Sequence, residues 1–235
     1  MQGMEIRGPG AKRLTIGIAL LMSLSARAQV NVTTWHNDLS RSAVNPQETI
    51  LTTANVNSTE FGRLFSIPVD GQVYAQPLIL SGVSIGGGSH NVVYVATEHD
   101  SVYAIDAESG ATYAQVSLIP AGGTTVNTSS DLVPACGDIQ PEVGITGTPV
   151  IDPSSNTLYV VAKSKVNGSI VQYLHALNTA TLAENAGSPV EIEATVAGTA
   201  SDGNGTQVAF NPMTQNQRPG LALDNGHVLI TWASH

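Results

Sequence analysis

Short β-branched and aromatic runs, separated by turn residues, dominate the chain after residue 60. Residues 92–97, 158–162 and 228–232 have the length and composition of buried strands. Residues 101–106 and 170–178 supply a second run after each of the first two. Between the members of each pair lie turn formers, Glu98-His99-Asp100 in one and residues 163–169, with Asn167-Gly168, in the other. The pattern predicts antiparallel hairpins. No window beyond the first residues has a helical apolar period. Polar stretches at 81–90 (with Gly86-Gly87-Gly88), 122–130 and 198–205 are predicted to be long loops.

The runs recur. Ala75-Gln76-Pro77-Leu78-Ile79 is followed by Val92-Val93-Tyr94-Val95-Ala96 and Val102-Tyr103-Ala104-Ile105-Asp106. Gly147-Thr148-Pro149-Val150-Ile151 is followed by Thr157-Leu158-Tyr159-Val160-Val161-Ala162 and Leu174-His175-Ala176-Leu177-Asn178. Arg218-Pro219-Gly220-Leu221-Ala222-Leu223 opens a third copy, continued by residues 227–232. Pro77, Pro149 and Pro219 are spaced by 72 and 70 residues. Self-similarity at so long a period predicts units that bury their apolar faces against one another. Pro lacks a backbone donor, so these prolines are expected at strand starts. Residues 29–70, with Trp35, polar side chains and few apolar runs, are expected to form a strap across the packed sheets.

The first 28 residues read as a signal peptide. Arg7, Lys12 and Arg13 precede the apolar run 14–25, and Ala26-Arg27-Ala28 suits cleavage before Gln29. The expected location is secreted or periplasmic. Residues 29–235 keep five basic residues (Arg41, Arg63, Lys163, Lys165, Arg218) against seventeen acidic ones, a net charge of −12. Such a surface repels phosphate backbones and anionic headgroups, so neither nucleic acid nor a membrane is an expected partner. Cys136 is the only cysteine. It is either a buried thiol or half of a bridge to a partner beyond residue 235.

Tyr94-Val95-Ala96-Thr97 with Val102-Tyr103-Ala104-Ile105-Asp106-Ala107-Glu108-Ser109-Gly110 resembles the PQQ-like repeats of quinoprotein-type β-propellers. Trp35, Arg41, Asn45, Glu48, Leu51 and Asn55-Val56 resemble the segment that precedes the first blade of quinoprotein alcohol dehydrogenases. Cys136-Gly137-Asp138, with residues 141–152, is similar to a stretch of large secreted bacterial proteins of that superfamily. The resemblance implies an all-β fold: β-propeller blades of antiparallel strands over residues 71–235. About three blades are expected, at roughly 70 residues each. That is an incomplete ring, so the chain reads as the N-terminal part of a longer protein whose missing downstream blades would be its first partner.

The family's docking pattern, Ala-x-Asp/Asn-x-x-Thr/Ser-Gly followed by Trp, is matched by Ala104, Asp106, Ser109 and Gly110, with Ala114 at the Trp position. Ala176, Asn178 and Thr181 match in the second copy, with Leu182 in place of Gly and Ala186 in place of Trp. Asp106 and Asn178 are expected to accept the N–H groups of the following turn. The quinone-dependent relatives place vicinal cysteines at the cofactor and carboxylates around calcium. This chain has one cysteine, while Glu142 near Asp138 and Asp202-Gly203-Asn204-Gly205 read as solvated loops rather than calcium ligands. His36, His90, His99, His175, His227 and His235 lack zinc-site spacing, His175 reading as a hydrogen-bonded strand residue. Neither a nucleophile elbow nor a phosphate loop is present.

No catalytic, cofactor-binding or metal-binding residue is therefore assigned. The expectation is an exported, non-catalytic propeller whose loops bind a protein or a glycan. The alternative is the front part of a PQQ- and calcium-dependent quinoprotein dehydrogenase.

Overall fold

The computed structural model describes residues 31–132, 135, 137–200 and 203–234. The predicted signal peptide, Cys136, Asp202 and His235 lie outside them. The described residues form antiparallel sheets with no helix, and no sheet closes into a barrel.

The first sheet is a four-stranded meander of β1 (Leu78–Ile85), β2 (Gly88–Ala96), β3 (Ser101–Asp106) and β4 (Thr112–Ser117). The predicted loop at 81–90 is instead the tip of the β1–β2 hairpin. Gly86 and Gly87, at φ +59° and +83°, make the two-residue turn that both strands close on, with Ile85 paired to Gly88. A two-residue turn with positive φ at both positions matches strand twist, which is why glycine sits there.

The second sheet repeats this plan with β7 (Val150–Asp152), β8 (Thr157–Val166), β9 (Ser169–Asn178) and β10 (Val190–Glu191). Asn167 and Gly168, at φ +50° and +83°, turn β8 into β9. The turn expected over 163–169 is thus two residues long. Lys163–Val166 extends β8, and its far half pairs with β5 (Thr124–Asn127), which carries the short β6 (Glu142–Val143).

The third unit is smaller. β11 (Thr195–Ala197) and β12 (Gln207–Ala209) pair as an antiparallel ribbon. β13 (Gln215–Asn216) pairs with β16 (Ala233–Ser234), and β14 (Ala222–Asp224) forms a hairpin with β15 (His227–Leu229). The strand expected over 228–232 ends at Leu229, and Trp232 instead donates its indole N–H to Gln172 Oε1 on β9 at 2.8 Å. Pro77 and Pro149 immediately precede β1 and β7, and Pro219 stands just before β14.

Strand alternation distributes the core into layers. Val92, Tyr94, Ala96, Val102 and Ala104 of the first sheet pack with Ile151, Leu158, Val160, Ala162 and Leu177 of the second. The opposite face of the second sheet, Val150 and Val161 with Tyr159 and Leu174, packs on Leu221, Leu223 and Val228 of the third unit. On the first sheet's other face, Val93, Val95 and Ile105 line an apolar hollow with Phe65, Ile67 and Val69 from the N-terminal segment.

Residues 32–34 tie the three units together. Val32 exchanges backbone hydrogen bonds with Ile79, at 2.8 and 2.9 Å, and Thr33 O accepts the Ile151 N–H at 2.8 Å. Thr34 Oγ1 donates to Leu221 O at 3.1 Å. Ile79, Ile151 and Leu221 each stand two residues after the proline of their own repeat. Three consecutive residues of the N-terminal segment thus contact the same position of three successive copies.

The docking turns form in both copies. Asp106 Oδ1 accepts the N–H groups of Glu108 and Ser109 and the Ser109 hydroxyl, at 2.6–3.1 Å. Asn178 Oδ1 accepts from the Ala180 and Thr181 N–H groups and the Thr181 hydroxyl, at 2.9–3.2 Å. Leu182 holds φ +56° where the first copy has Gly110 at +75°, and its side chain is buried in the core between the sheets.

Candidate functional site

The turns that open the second and third repeats meet residues of the N-terminal segment at a cavity of about 590 Å³. Its lining includes Trp35, Arg41, Tyr74, Thr146, Thr148 and Arg218. Thr148 and Arg218 each precede the proline of their repeat, and so does Gln76 in the first copy. Gln76 does not line the cavity: its Oε1 accepts the His36 N–H at 3.1 Å, and its own N–H donates to Thr148 Oγ1 at 2.9 Å. One sequence position therefore serves as a brace in the first copy and as cavity wall in the other two.

Arg41 holds the rim. Its Nη1 donates to Thr34 Oγ1 at 2.7 Å and to Trp35 O at 2.6 Å, and its Nη2 donates to Leu221 O at 3.2 Å. The guanidinium carbon lies 5.6 Å from the Trp35 ring centroid, near enough for a cation–π attraction. The Trp35 ring stacks on His36 with centroids 3.5 Å apart. Gly220 makes this packing possible, because a Cβ there would stand 2.6 Å from the Trp35 Cβ.

Beneath the cavity lie two buried carboxyl groups from the β2–β3 turn, Glu98 and Asp100. Glu98 Oε2 accepts the Gly144 N–H at 2.7 Å and the Thr146 hydroxyl at 3.1 Å. Asp100 Oδ2 accepts the Ser164 hydroxyl at 2.8 Å. The remaining oxygens, Glu98 Oε1 and Asp100 Oδ1, are buried without a partner among the described residues. Burial pushes the Glu98 carboxyl up to about 6 against the hydrogen bonds from Gly144 and Thr146. Burial likewise raises Asp100 well above its ordinary value, against the Ser164 bond and assisted by the Glu98 charge. Gly144 fits above this pair only because it lacks a side chain: a Cβ would meet Glu98 O at 2.3 Å and Asp100 Oδ1 at 2.5 Å.

The residues singled out in the sequence are scattered. Glu142 Oε1 lies 2.9 Å from His99 Nδ1 at the rim of the β2–β3 turn, and Asp138 is exposed. Asn204 Oδ1 accepts the Thr206 and Gln207 N–H groups, at 3.0 and 2.8 Å, so it organises its own loop. His175 lies in β9 with Nδ1 2.5 Å from Glu184 Oε1, and burial lowers its pKa despite that carboxylate. His90 Nδ1 is 2.7 Å from the Tyr113 hydroxyl. Among the described residues no group of three or more His, Cys, Asp or Glu side chains converges as a metal-binding set. Sequence reasoning missed the cavity, although the position before each repeat's proline carried a signal for it.

A scan against protein-family models matches none, and searches of curated proteins and of solved structures return no match.

Proposed function

We propose that the chain is an exported, non-catalytic β-propeller segment that binds a glycan at the cavity between its repeats. The three-unit stacking, the meander sheets and the hub at residues 32–34 support the propeller reading. The observation that carries the binding reading is the composition of the cavity wall. It combines Tyr74, an aromatic ring 46 % exposed, with two guanidinium groups and two threonines on turns fixed by backbone hydrogen bonds. A volume of 590 Å³ lies within the range of small-molecule sites, about 300–1,000 Å³. An aromatic face can cover the C–H face of a sugar ring while hydroxyl and guanidinium groups meet its oxygens.

The remaining hydrogen-bonding capacity of the threonines suits hydroxylated ligands. Thr148 Oγ1 accepts from Gln76 N–H and keeps its own proton to donate. Thr146 Oγ1 donates to Glu98 and keeps lone pairs to accept. A protein partner is the less favoured occupant. Apart from Ala233 the lining residues precede strands or lie in turns, offering no strand edge along which a peptide could add.

Affinity electrophoresis of the purified chain through gels containing soluble polysaccharides tests the reading. At least one polysaccharide should retard wild type, and Tyr74→Ala should lose about tenfold in affinity, the cost of one aromatic contact of about 1.4 kcal/mol. Retardation unchanged by Tyr74→Ala, or by no polysaccharide at all, rejects it. Dye reduction on addition of PQQ and calcium would favour the dehydrogenase alternative instead.

A further inference from the structure

We propose that the glycan taken by this cavity carries a carboxylate, as a uronic-acid oligosaccharide does, and that Arg218 is the residue that recognises it. The inference rests on the reading above and narrows its ligand class.

The argument starts from where the few positive charges are placed. Residues 29–235 hold five basic side chains against seventeen acidic ones, and two of the five line this one cavity. Lys165 is paired with Asp131 at 2.5 Å, and Lys163 donates to Met213 O at 3.2 Å. Arg63 is exposed in the N-terminal segment. Arg41 and Arg218 have no carboxylate within ion-pair distance among the described residues. The acceptors around Arg41 are a hydroxyl and two carbonyls, so three of its donors are engaged without any carboxylate to balance its charge. Arg218 feels the charge of the buried Glu98 carboxyl, but two guanidinium groups against that one carboxyl still give the recess a positive field, which in a molecule of net negative charge draws in an anion.

The two arginines have different tasks. Arg41 is a positioning residue, its fork spent on Thr34, Trp35 and Leu221. Arg218 has an exposed side chain on a fixed backbone. Its N–H donates to Asn216 O at 3.1 Å, Asn216 and Gln217 are buried beneath it, and Pro219 follows. A guanidinium presents parallel N–H groups that match a carboxylate in a bidentate pair, a geometry no sugar hydroxyl reproduces. Tyr74 and the threonines are compatible with neutral and acidic sugars alike, so selection between them falls to Arg218.

Titration calorimetry with three probes tests this: tri-galacturonate, its fully methyl-esterified form, and hexaglutamate, each at 50 and 300 mM NaCl. The acid trimer should bind wild type at least tenfold more tightly than the ester, and this preference should shrink at the higher salt. Arg218→Gln should remove the preference, so that acid and ester bind with equal affinity, whereas Arg218→Lys should retain part of it. Equal affinities for acid and ester in wild type overturn the proposal and leave glycan binding standing. A preference that survives Arg218→Gln also overturns it. Hexaglutamate binding without either trimer overturns both this proposal and the glycan reading. Should Arg218→Gln lower the melting temperature, Arg218→Lys decides the matter, and a preference that it leaves at the wild-type size overturns the assignment to Arg218.

Discussion

Thr148 Oγ1 accepts the backbone N–H of Gln76 at 2.9 Å, and these two residues occupy the same position in successive repeats, 72 residues apart. Thr148 O also accepts the Leu221 N–H at 2.9 Å, so one threonine links all three units. Thr148→Val keeps the volume and removes the acceptor, leaving the Gln76 N–H without its partner. An unpaired backbone donor costs about 1–3 kcal/mol. Urea denaturation should show a loss of that size for Thr148→Val and a far smaller one for Thr148→Ser.

Glu98 gives the protein a pH-dependent stability with a definite sign. Its folded pKa of about 6 stands above the ordinary glutamate value of 4.5, so folding favours the protonated form. The stability tied to this group is fully present below pH 4.5 and is lost as pH rises through 6. A shift of that size is worth about 2 kcal/mol. Burial lowers the pKa of His175, which works in the opposite direction on acidification. The informative quantity is therefore the difference between Glu98→Gln and wild type. The glutamine variant should gain about 2 kcal/mol on wild type between pH 4.5 and 7. A difference that stays flat across that range would count against a buried, proton-holding Glu98.

Much of the sheet framework was legible because it rests on local chemistry. Period-2 alternation at Val92, Tyr94 and Ala96, the polar turn residues and the repeated prolines all act within a few positions. The misread segments are those where polar residues are made strand-like by distant partners. The polar sequence around Ser164 predicts a turn, yet Ser164 is buried in β8, where Asp100, 64 residues away, accepts its hydroxyl. Residues 81–90 looked like a loop because Ser84, Gly86, Gly87 and Ser89 are polar or small, yet they close a hairpin with one exposed face. The cavity was illegible for a related reason. Trp35, Tyr74 and Arg218 lie in stretches without periodicity, and only the contacts of residues 32–34 with three repeats bring them together.

The second docking turn sets backbone strain against burial, and the magnitudes decide between them. Leu182 holds a left-handed conformation at φ +56° with its side chain 1 % exposed. Glycine would relieve a conformational cost of about 1–2 kcal/mol. Removing a buried leucine side chain costs about 2–5 kcal/mol. Leu182→Gly should therefore lower stability, by about 2 kcal/mol at the middle of these ranges. At the equivalent Gly110 both effects point the same way. Its φ is +75°, and a Cβ would stand 3.1 Å from Phe65. Gly110→Ala should accordingly destabilise as well, and equilibrium unfolding of the two variants checks both signs.

Gly220 offers a way to disturb the cavity without touching its charges. A Cβ there would lie 2.6 Å from the Trp35 Cβ and 3.1 Å from its Cγ. The first of these is closer than real Cβ contacts come, and the obstacle is the base of the indole rather than a flexible tip. The backbone at Gly220 is not left-handed, so the substitution is opposed by the close approach alone. Gly220→Ala should push Trp35 away from Arg41 and His36 and change the shape of the wall they build. Trp35 and Trp232 are the two tryptophans. In a Trp232→Phe background, emission therefore reports on Trp35 alone, and the added alanine should shift its wavelength. Glycan affinity should fall by about tenfold or more, roughly 1.4 kcal/mol. Arg41 keeps its donors toward Thr34 and Leu221, so the melting temperature should change far less than the affinity. Unchanged emission and unchanged affinity would mean that the Trp35–Gly220 contact does not shape the ligand site.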